Sequence, residues 1–256
     1  SLGGVKPLES RHAGRGFTIA VEAPFVVVGD GPAEEVARRA ERTIRWAVTR
    51  LRQDYFADDP RAIVDVYLFA DGPSYLRNTK ALFGEEPDTP YGYYSPTHAA
   101  LIMNIATGGG TLVHEIVHPF MAANFPACPD WFNEGLASLY EQCDERDGRI
   151  VGLPNWRLPG LQSAIRGKRL GSTRALCATT REAFYGVHSG THYAHARYLC
   201  HYLQEQGRLR DYYHAFVAAA ANDPTGWETL RRVVGYDDMD RFELDWRRHV
   251  MGLRWS

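Results

Sequence analysis

Residues 111–120 read TLVHEIVHPF, which sets His114 and His118 four positions apart with Leu112, Val113, Ile116 and Val117 around them. In an α-helix, residues at i and i+4 share one face a turn apart, so this pattern predicts a buried helix carrying two imidazoles as a chelating pair. Zn²⁺ accepts two such nitrogens at about 2.0–2.1 Å, and Glu115, one position along, reaches a bound water rather than the ion. Random placement of His and Glu in a chain of this length gives only about 0.02 matches to His-Glu-x-x-His. The motif is therefore informative, and its surroundings must supply the rest.

The surroundings supply a third donor. Trp131-Phe132-Asn133-Glu134-Gly135-Leu136-Ala137 follows the turn Pro126-Ala127-Cys128-Pro129, and Glu134 lies sixteen residues beyond His118. A second helix folded back by that turn would let Glu134 close a His, His, Glu set and leave a fourth position for water. HEIVH followed by WFNEGLA resembles the gluzincin metallopeptidases, specifically the bacterial peptidase MA-like group, over about Tyr91–Glu141. The resemblance implies one Zn²⁺ held by His114, His118 and Glu134, with Glu115 as general base. The implied reaction is hydrolysis of peptide bonds by a metal-activated water, on a peptide or protein substrate. The interval from His118 to Glu134 is shorter than in thermolysin-type enzymes, as in the short-spacing MA-like members.

The developing oxyanion calls for a further donor, and His188, His192, Tyr193 and His195 are candidates. The resemblance favours Tyr193, in HYAHARYL, as a catalytic residue; helical repetition of Tyr193, Ala196 and Cys200 equally suits a packing role. His195, His201 and His214 read as structural or surface residues. Arg157, between two prolines, reads as structural in preference to an anchor for a substrate carboxylate. Gly92, Tyr93 and Tyr94 are expected to rim the substrate groove, because an edge strand before the metal helix can hold an extended peptide. Leu101-Ile102-Met103-Asn104 lacks the Glu by which M1-type aminopeptidases, whose arrangement this resembles, bind a free amine, so endopeptidase action is favoured, with carboxy-side cleavage as the alternative. Two alternatives remain: a catalytically inactive zinc-bearing peptide-binding module, and a zinc amidohydrolase acting on a non-peptide amide.

The fold class expected is α+β and zincin-like. A sheet-bearing lobe, residues 1–125, carries the HExxH helix; a mainly helical lobe, residues 126–256, carries the third ligand; a zinc cleft lies between them in one catalytic unit. The first lobe reads as a strand over Phe17–Val28, a helix over Pro32–Tyr55, a strand over Ala62–Phe69 and a helix from Asp71-Gly72-Pro73 to Phe83. A hairpin of Tyr91–Ser95 and Ala99–Ile105 around Pro96-Thr97 follows. After residue 111 helices are expected near 111–123, 130–142, 190–206, 208–221, 225–234 and 238–250. Gly108-Gly109-Gly110 lacks the Lys and the spacing of a phosphate-binding loop.

Twenty-nine Lys and Arg against 31 Asp and Glu leave no field favouring nucleic acid. No apolar run reaches the 18 or more residues of a membrane span. Cys128, Cys143, Cys177 and Cys200 form no CxxC pair; they read as small buried residues, with a Cys128–Cys143 bridge as the alternative. An opening at Ser1-Leu2-Gly3-Gly4 is compatible with a removed export segment, and with the even cysteine count it suggests a periplasmic or secreted protein.

Overall fold

The computed structural model describes residues 16–95 and 97–255. The Ser1-Leu2-Gly3-Gly4 opening and Pro96 of the expected hairpin turn lie outside the described residues. The fold is α+β, and internal packing divides it into two compact units, one of residues up to Arg52 with Ala57–Ala123, the other of Gln53–Phe56 with Asn124–Ser256.

In the first unit a mixed five-stranded sheet runs in the order β1 (Thr18–Glu22), β2 (Phe25–Gly29), β3 (Val64–Phe69), β5 (Ala100–Asn104), β4 (Gly92–Ser95). The β2–β3 and β3–β5 pairs are parallel, while β1 and β4 are antiparallel edges. FVVVG and ALIMN are buried along their whole length, as expected of strands flanked on both sides by others. Phe17–Val28 is not the single strand expected: Glu22 pairs with Phe25, so the chain reverses at Ala23-Pro24 into a hairpin. Proline cannot donate to a ladder, which is why a Pro inside an apolar run marks a turn.

Helix α1 runs as Ala33–Arg39, a π-helical stretch Ala40–Arg45, and Trp46–Asp54. Val36, Ala40, Ile44, Ala47, Val48 and Leu51, at helical spacing, form a stripe that is buried throughout. Helix α2 (Gly72–Phe83) starts where Asp71 accepts a hydrogen bond from Ser74 N at 2.7 Å, and ends at the left-handed Gly84. A short 3₁₀ turn, Ile105–Thr107, then leads into α3 (Gly110–Asn124), the helix of the two histidines.

The second unit comprises α4 (Asp130–Leu139), the hairpin β6 (Cys143–Arg146) and β7 (Arg149–Gly152), and helices α5 (Leu158–Arg166), α6 (Thr173–Cys177), α7 (Arg181–Phe184), α8 (Ser189–Glu205), α9 (Leu209–Ala219), α10 (Trp227–Val234) and α11 (Met239–Gly252). Helix α4 packs on α8, and Gly135 sets the approach. A Cβ there would lie 3.1 Å from both the Ala196 carbonyl oxygen and Cys200 Sγ. From the middle of α8 the buried Arg197 donates to the carbonyls of Ser138 and Leu139 at the end of α4 and of Leu153 after β7, tying the three segments together. Gly135→Ala gains about 1 kcal/mol of helix propensity. The overpacking it forces costs up to about 3, for an expected net loss of about 1–2 kcal/mol in urea unfolding. An unchanged midpoint would show that α4 and α8 part without cost.

The Cys128–Cys143 alternative is not realised, since all four cysteines are free thiols. The two residues flank the ten residues of α4, about 15 Å of helix, whereas a disulfide needs Cα atoms within about 7 Å.

Candidate metal centre

His114 and His118 project from α3 with their ring centroids 4.9 Å apart and their planes at 74°. His114 is buried and His118 half-buried, while Leu112, Val113, Ile116, Val117 and Phe120 carry the apolar sides of the same helix. Pro119 follows His118 inside the helix and has no N–H to offer the Glu115 carbonyl one turn back. Glu115 is half-buried, beside His114 in sequence and off the imidazole face.

Glu134 is buried in the second turn of α4. One potential ligand atom each from His114, His118 and Glu134 all lie within 4.8 Å of one another, the one such group of three among the described residues. A tetrahedral zinc ion with bonds of about 2.1 Å holds its ligand atoms roughly 3.4 Å apart, so side chains grouped within 4.8 Å would draw closer on binding one. Two imidazoles and one carboxylate are also a donor set typical of zinc sites that keep one position open.

Tyr185, which the sequence analysis did not single out, donates from Oη to Glu134 Oε1 at 2.7 Å. Burial, followed by the nearby Glu134 carboxylate, pushes its phenol well above the ordinary range, so the hydroxyl stays protonated and remains a donor. Its ring packs on Phe184 (5.2 Å) and Tyr193 (6.2 Å), and the Arg181 guanidinium lies 5.0 Å from its centroid. Arg181 also pairs with Asp130 at 2.7 Å. Arg181 and Tyr185 are four apart, as are Asp130 and Glu134, so once packing brings the two segments together they meet in two matched rungs.

The four oxyanion candidates separate. Tyr193, in the first turn of α8, sits in the aromatic group of Phe184 and Tyr185, with the Arg157 guanidinium 5.0 Å from its ring. His192 donates from Nδ1 to the Phe184 carbonyl at 3.1 Å and stacks on that ring. His188 is exposed at the α8 N-terminus. His195 is different: it is buried against Trp246, ring centroids 4.6 Å apart, and burial lowers its pKa to about 3. A neutral imidazole sealed in that stack serves the core. His201 is likewise buried and lies 3.3 Å from His249, and His214 meets the Asp54 carbonyl. Arg157 is committed to Glu141 through both Nε (2.9 Å) and Nη2 (2.7 Å), which leaves its face to the Tyr193 ring.

The expected groove rim belongs to an edge strand, β4. Tyr94 is exposed, but Tyr93 is tied by its hydroxyl to Glu85, which also accepts from Ser95 at 2.9 Å. Gly92, with φ of 156°, is packed against Met103. Asn104 is a clamp, donating to the Pro90 carbonyl at 2.8 Å and accepting from Ala106 N at 3.2 Å. No protein-family model matches this chain, and a search of the curated proteins returns no match.

Proposed function

We propose that this chain is a zinc-dependent peptidase of the gluzincin type, zincin-like in fold, resembling the bacterial peptidase MA-like group. The observation that carries the reading is the convergence of His114, His118 and Glu134 within 4.8 Å, with Glu115 intact between the two histidines. His114 and His118 would hold the ion from one helix face, and Glu134 from the buried second turn of α4. Zinc, when bound, supplies Lewis acidity toward the scissile carbonyl and makes a water nucleophilic near neutral pH. Glu115 takes the proton of the attacking water and returns it to the leaving amine. The Tyr193 hydroxyl donates to the oxyanion as charge develops. An extended peptide would pair with β4, which is an edge strand of the sheet among the described residues. No described helix is long and apolar enough to cross a membrane.

The first test is stoichiometry. Wild-type protein is expected to bind one zinc per chain and to cleave members of a peptide library in a chelator-sensitive manner. Glu134→Ala is expected to hold well below one zinc, because two imidazoles alone leave too few protein ligands. Full zinc occupancy in that variant would remove Glu134 from the ligand set. Wild-type zinc binding without peptide cleavage would favour the inactive module or the non-peptide amidohydrolase.

A further inference from the structure

We propose that Tyr185 is a positioning residue that fixes the carboxylate of Glu134 for metal binding. This inference rests on the zinc reading of His114, His118 and Glu134. A glutamate ligand has three rotatable side-chain bonds, and a carboxylate left to rotate can offer either oxygen or both. Tyr185 removes that freedom by donating to Oε1 at 2.7 Å, which makes the other oxygen the stronger donor to an ion. Partners of this kind orient metal ligands and raise affinity in metalloproteins generally.

The phenol is itself held in place by the segment that presents it. Thr180 caps α7 by accepting from Ala183 N at 3.2 Å, and Tyr185 follows the last residue of that helix. Phe184 is fully buried and packs against His192 and Tyr193, anchoring the backbone beside Tyr185. The second rung, Arg181 to Asp130, aligns α7 with the first turn of α4, and the Tyr185 hydroxyl lies 3.4 Å from the same Asp130 oxygen. Asp130 and Glu134 are one turn apart on α4. The two rungs therefore fix both where the carboxylate sits along its helix and how it is turned. Without the rung at Glu134, Arg181 and Asp130 would still align the helices, but the carboxylate would lose the donor that fixes its Oε1.

The test is zinc affinity of the full chain, stripped with a chelator and titrated with zinc alone against a chromophoric competitor. Tyr185→Phe keeps the ring and removes only the donor, and it is expected to weaken zinc binding by about 10- to 100-fold. In a Glu134→Ala background, where no carboxylate remains to be oriented, Tyr185→Phe is expected to change the residual affinity by less than about twofold. A merely structural role would give the same loss in both backgrounds and would overturn the proposal. Tyr185→Phe that binds zinc as tightly as wild type would also overturn it while leaving the zinc reading intact. Wild-type protein that binds no zinc would overturn both. Should the Phe variant not fold, Arg181→Gln, which loosens the cation over the Tyr185 ring, is measured in both backgrounds. A loss confined to chains retaining Glu134 supports the proposal, and an equal loss, or none, overturns it.

Discussion

Glu115→Gln is expected to retain one zinc per chain and to lose at least about 10²-fold in kcat on any peptide that the wild type cleaves. General acid–base catalysis contributes about 10²–10⁴-fold, and the amide can neither accept the proton of the attacking water nor return it. The substitution is nearly isosteric, and Glu115 is separate from the three-donor group, so zinc content and melting temperature should stay near wild type. The measurement is kcat and zinc per chain on the same preparation. Normal turnover would show that another group moves the proton. Lost zinc would place the Glu115 carboxylate among the ligands and overturn its assignment as base.

Acid is expected to destabilise the second unit well above the pH at which most carboxylates titrate. His195 and His201 lie on α8, and burial lowers both to about pKa 3, helped by Arg247 and His192 near the first and by Arg197, His249 and Arg146 near the second. His249, on α11, is lowered too, chiefly by burial. Unfolded, these imidazoles titrate near 6.5. The folded values lie below that, so the unfolded chain binds more protons between about pH 6.5 and 3, and stability falls as pH falls through that window. Each fully shifted group contributes roughly 1.4 kcal/mol per pH unit, so His195 and His201 together give up to about 2.7. Over the roughly 2.5 units from pH 6.5 to 4 that slope removes about 7 kcal/mol, enough to unfold a domain at the low end of the usual 5–15 kcal/mol range. The lowered carboxylates of Glu85, Asp223 and Asp245 act at lower pH, so urea midpoints between pH 6.5 and 5 isolate the imidazoles. A flat midpoint across that interval would mean that both rings are reached by water in the native state.

Much of this architecture was legible because its signals are local and periodic. The α1 stripe, the Asp71 cap, the hairpin of β4 and β5, and helices α4, α8, α9, α10 and α11 follow from spacing and turn chemistry read within some twenty residues, whereas α5 does not. The errors also have local causes. Pro24 sits inside an apolar run that reads as one strand, and Asp147-Gly148, with φ of 53° and 73°, is an Asp-Gly turn joining β6 and β7 within a stretch expected to be helix and loop. Helices α6 and α7 are too short for a 3.6-residue period, although Ser172 and Thr180 cap them visibly. At the candidate site, the histidine pair was readable because four residues of helix fix its geometry. Tyr185 was not, because its partner Glu134 is 51 residues away in sequence and only packing brings the two together. The same distinction separates Arg157, whose Glu141 partner could not be read from its prolines.

The four free thiols bear on how metal binding would register as thermal stability. In the native chain burial keeps them protonated: Cys143 is pushed up to about 12, and Cys128, Cys177 and Cys200 are also raised. Unfolding returns them toward about 8.5 and frees the buried imidazoles, so the denatured ensemble becomes a competing zinc chelator. The rise in melting temperature with zinc would then understate the native affinity, increasingly so as pH rises and more thiolate forms in the unfolded chain.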